Sequence, residues 1–139
     1  MTVAEISAQL HRIQSDEHFA ARTADLVNSW SASGMGAETI EPILRFIEEH
    51  PQLDFGAPGS LVQFVERFYG KGYETKLVES IWRKPTMQTV WMLNRILNGT
   101  KDHAVKRRFV GVLEGAKRHP LAESNVQRRI DQFLQRFQS

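Results

Sequence analysis

Apolar residues recur every three or four positions along almost the whole chain, and no segment alternates apolar and polar residues as a half-buried strand requires. Val3, Ile6, Leu10 and Ile13 share one face behind Thr2 and Glu5, a capping-box pair. Ser15 is placed to cap a second helix, with Asp16 and Glu17 in its first turn, the stripe Phe19, Leu26, Val27 and Trp30, and Gly34 as its stop. A third helix over 37–49 turns Ile40, Ile43, Leu44 and Ile47 inward, and Pro42 fits only in its first turn, where a missing N–H loses no partner. The segment 51–59, Pro-Gln-Leu-Asp-Phe-Gly-Ala-Pro-Gly, is a turn-rich connector.

Four more helices follow. Leu61, Phe64, Val65 and Phe68 mark the fourth, closed by Gly70 and Gly72; Tyr73, Leu77, Val78 and Ile81 mark the fifth, which stops before Pro85. The sixth, 86–98, is apolar on nearly all sides and therefore predicted to be buried. Thr100 is placed to cap the seventh, with Val105, Phe109, Val112, Leu113 and Ala116 inward. The eighth carries Val126, Ile130, Phe133, Leu134 and Phe137 after the break at His119-Pro120.

The expected fold class is therefore all-α, with about eight antiparallel helices arranged as a HEAT-like helical-repeat stack or a compact bundle. At 139 residues the chain suits a single domain, 1–139, with an N-terminal helix pair over 1–34 and three helix pairs over 37–139. The pairs start about every 30–35 residues, near the short end of helical-repeat periods. No cysteine is present, which excludes disulfides, cysteine metal sites and thiol chemistry. No apolar run reaches the roughly 18–20 residues of a membrane span, and the first residues have neither the basic start nor the apolar stretch of a signal peptide. A cytoplasmic location without membrane contact is the expectation.

Charge is unevenly placed. Up to Glu66 there are ten acidic residues against Arg12, Arg22 and Arg45; from Arg67 onward there are fifteen basic residues and six acidic ones. A compact domain of this length has a radius of gyration of about 14 Å, larger than the roughly 8 Å screening length at physiological salt. A partner meets two fields of opposite sign.

Few residues suggest chemistry. The five histidines (His11, His18, His50, His103 and His119) form no HExxH, and local spacing gives none of them a glutamate to share a metal with, so neither metal nor cofactor is expected. His50 and His119 precede prolines at helix ends, where a cationic ring suits the helix dipole. Phe55-Gly-Ala-Pro-Gly-Ser60 lacks the lysine and buried strand of a phosphate loop and reads as a plain helix entry. Glu38, Glu41, Glu48, Glu49 and Asp54 are assigned to the outward side of the third helix and the loop after it, as an acidic docking surface or a solvated face on which Glu41 pairs with Arg45. The basic runs Lys106-Arg107-Arg108, Lys117-Arg118 and Arg128-Arg129 spread around their helices. Phe109, Phe133 and Phe137 fall on apolar stripes, leaving Trp82 beside Arg83 and Lys84 as the aromatic–basic set that suits nucleic acid. Asn94 and Arg95 interrupt the most apolar helix, where they need hydrogen-bond or charge partners.

The stretches Phe55–Glu66 (FGAPGSLVQFVE) and Pro85–Thr100 (PTMQTVWMLNRILNGT) resemble small all-helical immunity proteins of bacterial polymorphic-toxin and contact-dependent growth inhibition systems, over about residues 38 to 137. The resemblance implies a non-catalytic inhibitor that binds a cognate toxin domain in the producing cell's cytoplasm. It transfers no catalytic residue, and it leaves the contact surface to the residues themselves: Glu38, Glu41, Glu48, Glu49 and Asp54, facing a basic toxin such as a nuclease. Two alternatives stay open. One is a nucleic-acid-binding helical repeat that uses the basic C-terminal half. The other is a non-catalytic adaptor or homodimeric scaffold pairing the acidic half of one copy with the basic half of another.

Overall fold

The computed structural model describes residues 2–137. Among them are eight α-helices and two 3-10 turns, with no strand, as the periodicity requires. The helices are α1 (Val3–Ile13), α2 (Phe19–Ala32), α3 (Ile40–Glu49), α4 (Ser60–Glu66), α5 (Tyr73–Arg83), α6 (Met87–Gly99), α7 (His103–Lys117) and α8 (Ser124–Leu134). None of them is long and apolar enough to cross a membrane. The chain divides into two compact units, one up to Lys76 and the other from Leu77.

In the first unit α1 packs along α3 and against α2, and α2 packs against α4, so the N-terminal helix pair is built into the same unit as the next two helices. Thr2 caps α1 by accepting a hydrogen bond from the Glu5 N–H at 3.2 Å. The start of α2 departs from expectation. Ser15 is not its cap; the helix begins at Phe19, and Asp16 Oδ1 accepts the His18 N–H at 2.7 Å. His18 takes the N-cap position with no side-chain bond to the first turn. Gly34, at φ 71°, ends α2 as expected. A 3-10 turn at Ala37–Thr39 leads into α3, which places Pro42 in the first α-turn.

The core of this unit is aromatic around Phe46 of α3, which is fully buried. The rings of Phe19, Phe55, His11 and His50 stand 6.3, 6.1, 5.1 and 4.6 Å from it, centre to centre. Trp30 of α2 lies 5.9 Å from the Phe64 ring of α4, and its indole N–H donates to Gln9 Oε1 of α1 at 2.7 Å. That bond satisfies the polar atom of an otherwise apolar side chain at full burial.

In the second unit α6, α7 and α8 each pack against the other two. Thr86 and Thr89 form a reciprocal capping box at the start of α6. Asp102, not Thr100, caps α7: its Oδ1 accepts from the N–H groups of Ala104 and Val105 at 2.9 and 3.2 Å. Thr100 instead accepts from the Asp102 N–H at 3.2 Å and shapes the turn between helices. Asn94 is buried, and its amide oxygen finds no donor among the described residues; Arg95 lies over the Trp91 ring at 5.2 Å.

His119 ties the end of α5 to the connector after α7. Its Nε2 lies 2.7 Å from the Trp82 carbonyl, and its Nδ1 accepts the Leu121 N–H at 3.0 Å. A carbonyl only accepts and an amide N–H only donates, so these two contacts put a donor on Nε2 and an acceptor on Nδ1. His119→Ala removes both bonds and is expected to cost about 1–2 kcal/mol in urea unfolding.

Candidate functional site

The five carboxylates assigned to a docking surface do not share one environment. Glu48 is a correction: it is buried, with 8% of its surface exposed, and does not belong to the outer face. The reason lies in α3, where Pro42, Phe46 and Glu48 are buried together with Ile40, Ile43, Leu44 and Ile47, leaving a narrow outer stripe. Glu41, Arg45 and Glu49 occupy that stripe. Glu41 sits 3.4 Å from Arg45 Nη2, the expected pair one turn apart, and 3.8 Å from Lys76 Nζ of α5.

Glu38 is exposed, in the turn before α3. The backbone N–H groups of Gly36 and of Glu38 itself lie against its carboxylate and hold its pKa below the ordinary value. Asp54 is exposed as well, and its Oδ1 accepts the Gly56 N–H at 2.9 Å, closing a small turn inside the connector. Glu38, Glu49 and Asp54 thus face solvent, while Glu41 is partly covered and ion-paired.

A second constellation was invisible to local spacing. The unit brings His11 of α1 against the C-terminal end of α3, and His11 Nε2 stands 3.0 Å from Glu49 Oε2. His50, the residue that ends α3, has its ring 5.3 Å from that of His11. One ligand-type atom from each of His11, Glu49 and His50 lies within 4.8 Å of the others. Burial lowers the His50 pKa; the neighbouring His11 pushes the same way and Glu49 opposes both. Burial thus works against the cationic His50 expected at the helix end. His50 Nε2 is enclosed and has no hydrogen-bond partner among the described residues. No helical repeat relates positions 11 and 49, which is why only the packing of α1 on α3 reveals the group.

The basic face of the second unit holds a groove of about 580 Å³ between α7 and the 3-10 turn Gln135–Phe137. His103, Lys106, Arg107, Arg136 and Glu114 line it, over a floor of Val110, Gly111 and Phe137. Phe137, expected in the core, is half-exposed here. Trp82 is 46% exposed, but its ring lies on Gly115, where a Cβ would stand 2.6 Å from it. Part of the ring is therefore committed to α7 at Gly115, which weakens the aromatic–basic set with Arg83 and Lys84.

The charge asymmetry of the sequence maps onto the two units. The unit up to Lys76 carries eleven acidic and six Lys or Arg residues, net −5; the unit from Leu77 carries five and twelve, net +7. No protein-family model, curated protein or solved structure matches the chain.

Proposed function

We propose that this chain is a binding protein of the immunity type, which captures a basic toxin domain in the cytoplasm of the cell that makes both and blocks it without turnover of its own. The observation that carries this reading is the segregation of charge: a compact helical unit of net −5 presents Glu38, Glu49 and Asp54 to solvent, while the unit from Leu77 is net cationic. Helices packed around a buried aromatic core make a scaffold that needs little ordering on binding, which favours fast and tight capture. The resemblance of the Phe55–Glu66 and Pro85–Thr100 stretches to immunity proteins supports the same role. Glu48 is not part of the proposed surface, and Glu41 contributes at its partly covered edge.

The test is co-expression with the C-terminal domain of a large secreted polypeptide encoded beside this chain. Relief of that domain's growth arrest, with a co-purifying complex, is the expected result. Arrest that persists, or the lack of any such neighbour, contradicts the reading.

One observation favours a second reading, binding of nucleic acid: the cationic groove of Lys106, Arg107 and Arg136 with Phe137 in its floor. Three phosphate contacts would weaken binding about 40-fold between 50 and 200 mM salt. A gel shift with generic duplex that shows this slope, and loses it in Lys106→Glu/Arg107→Glu, selects the groove. No retardation at 50 mM salt removes it.

A further inference from the structure

We propose that His11, Glu49 and His50 form a binding site for a divalent cation of the zinc class, His11 giving Nε2, Glu49 a carboxylate oxygen and His50 a ring nitrogen. The inference does not depend on which partner the acidic unit binds.

The argument starts from an electrostatic mismatch. His11 Nδ1 lies 2.8 Å from the carbonyl oxygen of Ser7, which only accepts, so the ring proton of a neutral His11 sits on Nδ1. Nε2 then points a lone pair at Glu49 Oε2, itself an acceptor, 3.0 Å away. Two acceptors at that distance repel unless a positive charge lies between or beside them. A proton on Nε2 resolves the conflict for this pair alone, and leaves the enclosed His50 Nε2 still without a partner. A bound cation that draws on one nitrogen of each ring and on the carboxylate resolves the conflict and engages all three residues, whose ligand-type atoms lie within 4.8 Å of one another. An enclosed polar nitrogen without a partner is rare in folded proteins and is commonly a sign of an ion or a function.

The surroundings match those of metal-binding histidines. Such rings usually donate their other N–H to a carbonyl or carboxylate, which sets the tautomer and the ring direction; the Ser7 carbonyl does this for His11. The Phe46 ring lies 5.1 Å from the His11 ring and 4.6 Å from the His50 ring, wedging both from the apolar side. The Glu49 side chain is 58% exposed and opens the group to solvent, which provides an entry path and room for water to complete the coordination. Ligands about 2.0–2.1 Å from a tetrahedral zinc ion stand roughly 3.3 Å apart. The separations here, 3.0 Å for one pair and at most 4.8 Å for the others, close to that by small side-chain rotations. Two imidazoles and one carboxylate suit zinc over magnesium, which prefers an all-oxygen octahedron.

The test is calorimetric titration of the metal-stripped full chain with Zn²⁺, beside Mg²⁺ as control, followed by thermal unfolding. One site per chain is expected, with Tm raised by about 5–10 °C at a free Zn²⁺ concentration near one hundred times Kd and unmoved by Mg²⁺. Glu49→Gln, at an exposed position, and His11→Gln are each expected to weaken Zn²⁺ binding at least tenfold while keeping the helical circular dichroism. Absence of a Zn²⁺-dependent Tm shift up to millimolar metal overturns the proposal. So does a wild-type affinity that Glu49→Gln leaves unchanged, because the ion would then be held elsewhere.

Discussion

Replacing Gly59 by alanine is expected to destabilise the first unit by about 3 kcal/mol, among the largest effects of any single added methyl group in this chain. A Cβ at this position would overlap the Phe55 carbonyl oxygen and lie 2.8 Å from its carbon, both backbone atoms that cannot rotate away. The facing glycine, Gly56, sits at φ 85° with its own absent Cβ 2.6 Å from the Gly59 Cα, so the two arms of the turn touch backbone to backbone. Opening that contact moves Phe55, whose buried ring belongs to the aromatic core, and also moves Gly59 itself, which starts α4. Gly111→Ala is the matched control. Its Cβ meets nothing within 4 Å inside α7, so a gain of about 0.5–1 kcal/mol is expected from helix propensity alone. Chemical denaturation of both variants checks the pair, and similar midpoints would contradict the close approach.

Phe46→Ala is expected to cost about 3–5 kcal/mol, enough to consume a large share of the stability of a domain this size. The ring is fully buried and stands at the centre of four others, two of them histidines from different helices. Its removal leaves a cavity that Phe19, Phe55, His11 and His50 cannot fill without abandoning their own contacts. Phe46→Leu keeps most of the volume and is expected to cost about 1–1.5 kcal/mol. The two unfolding midpoints, measured side by side, separate loss of volume from loss of ring contacts.

Helical periodicity carried the fold class because it repeats over the whole chain and every turn of it points the same way. Single-residue signals were less secure. Ser15 and Thr100 each looked like a helix cap, yet α7 is capped by Asp102, two residues after Thr100, and α2 starts at Phe19, behind His18, with no side-chain cap. Where two candidate acceptors adjoin, the sequence does not say which the backbone will use, and the charged one forms the stronger bond. Glu48 was misplaced for a different reason. The apolar stripe read from Ile40, Ile43, Leu44 and Ile47 was too narrow: Pro42 and Phe46 widen it on one side, and Glu48, one turn after Leu44, lies on its other flank. Segregation of charge was legible from composition by position, although the boundary falls ten residues later, at Lys76 instead of Glu66. The meeting of His11 with Glu49 was not legible, since it joins residues 38 positions apart through the packing of one helix on another. The groove behind Phe137 was equally hidden, because a residue on an apolar stripe near a helix end can face a groove as readily as a core.

The most direct test of capture by an acidic unit is the association rate between this chain and its neighbouring toxin domain, measured by stopped flow at 50 and 500 mM salt. The comparison chain is Glu38→Gln/Glu41→Gln/Asp54→Asn, which removes three negative charges, keeps one acceptor oxygen at each position and leaves Glu49 intact. Steered association at low salt reaches about 10⁸ M⁻¹s⁻¹, against roughly 10⁵–10⁶ M⁻¹s⁻¹ without steering. The expected result is a rate that falls at least about tenfold with salt in the native chain, and a comparison chain that starts slower and responds less. Equal rates for both chains, unmoved by salt, would contradict it.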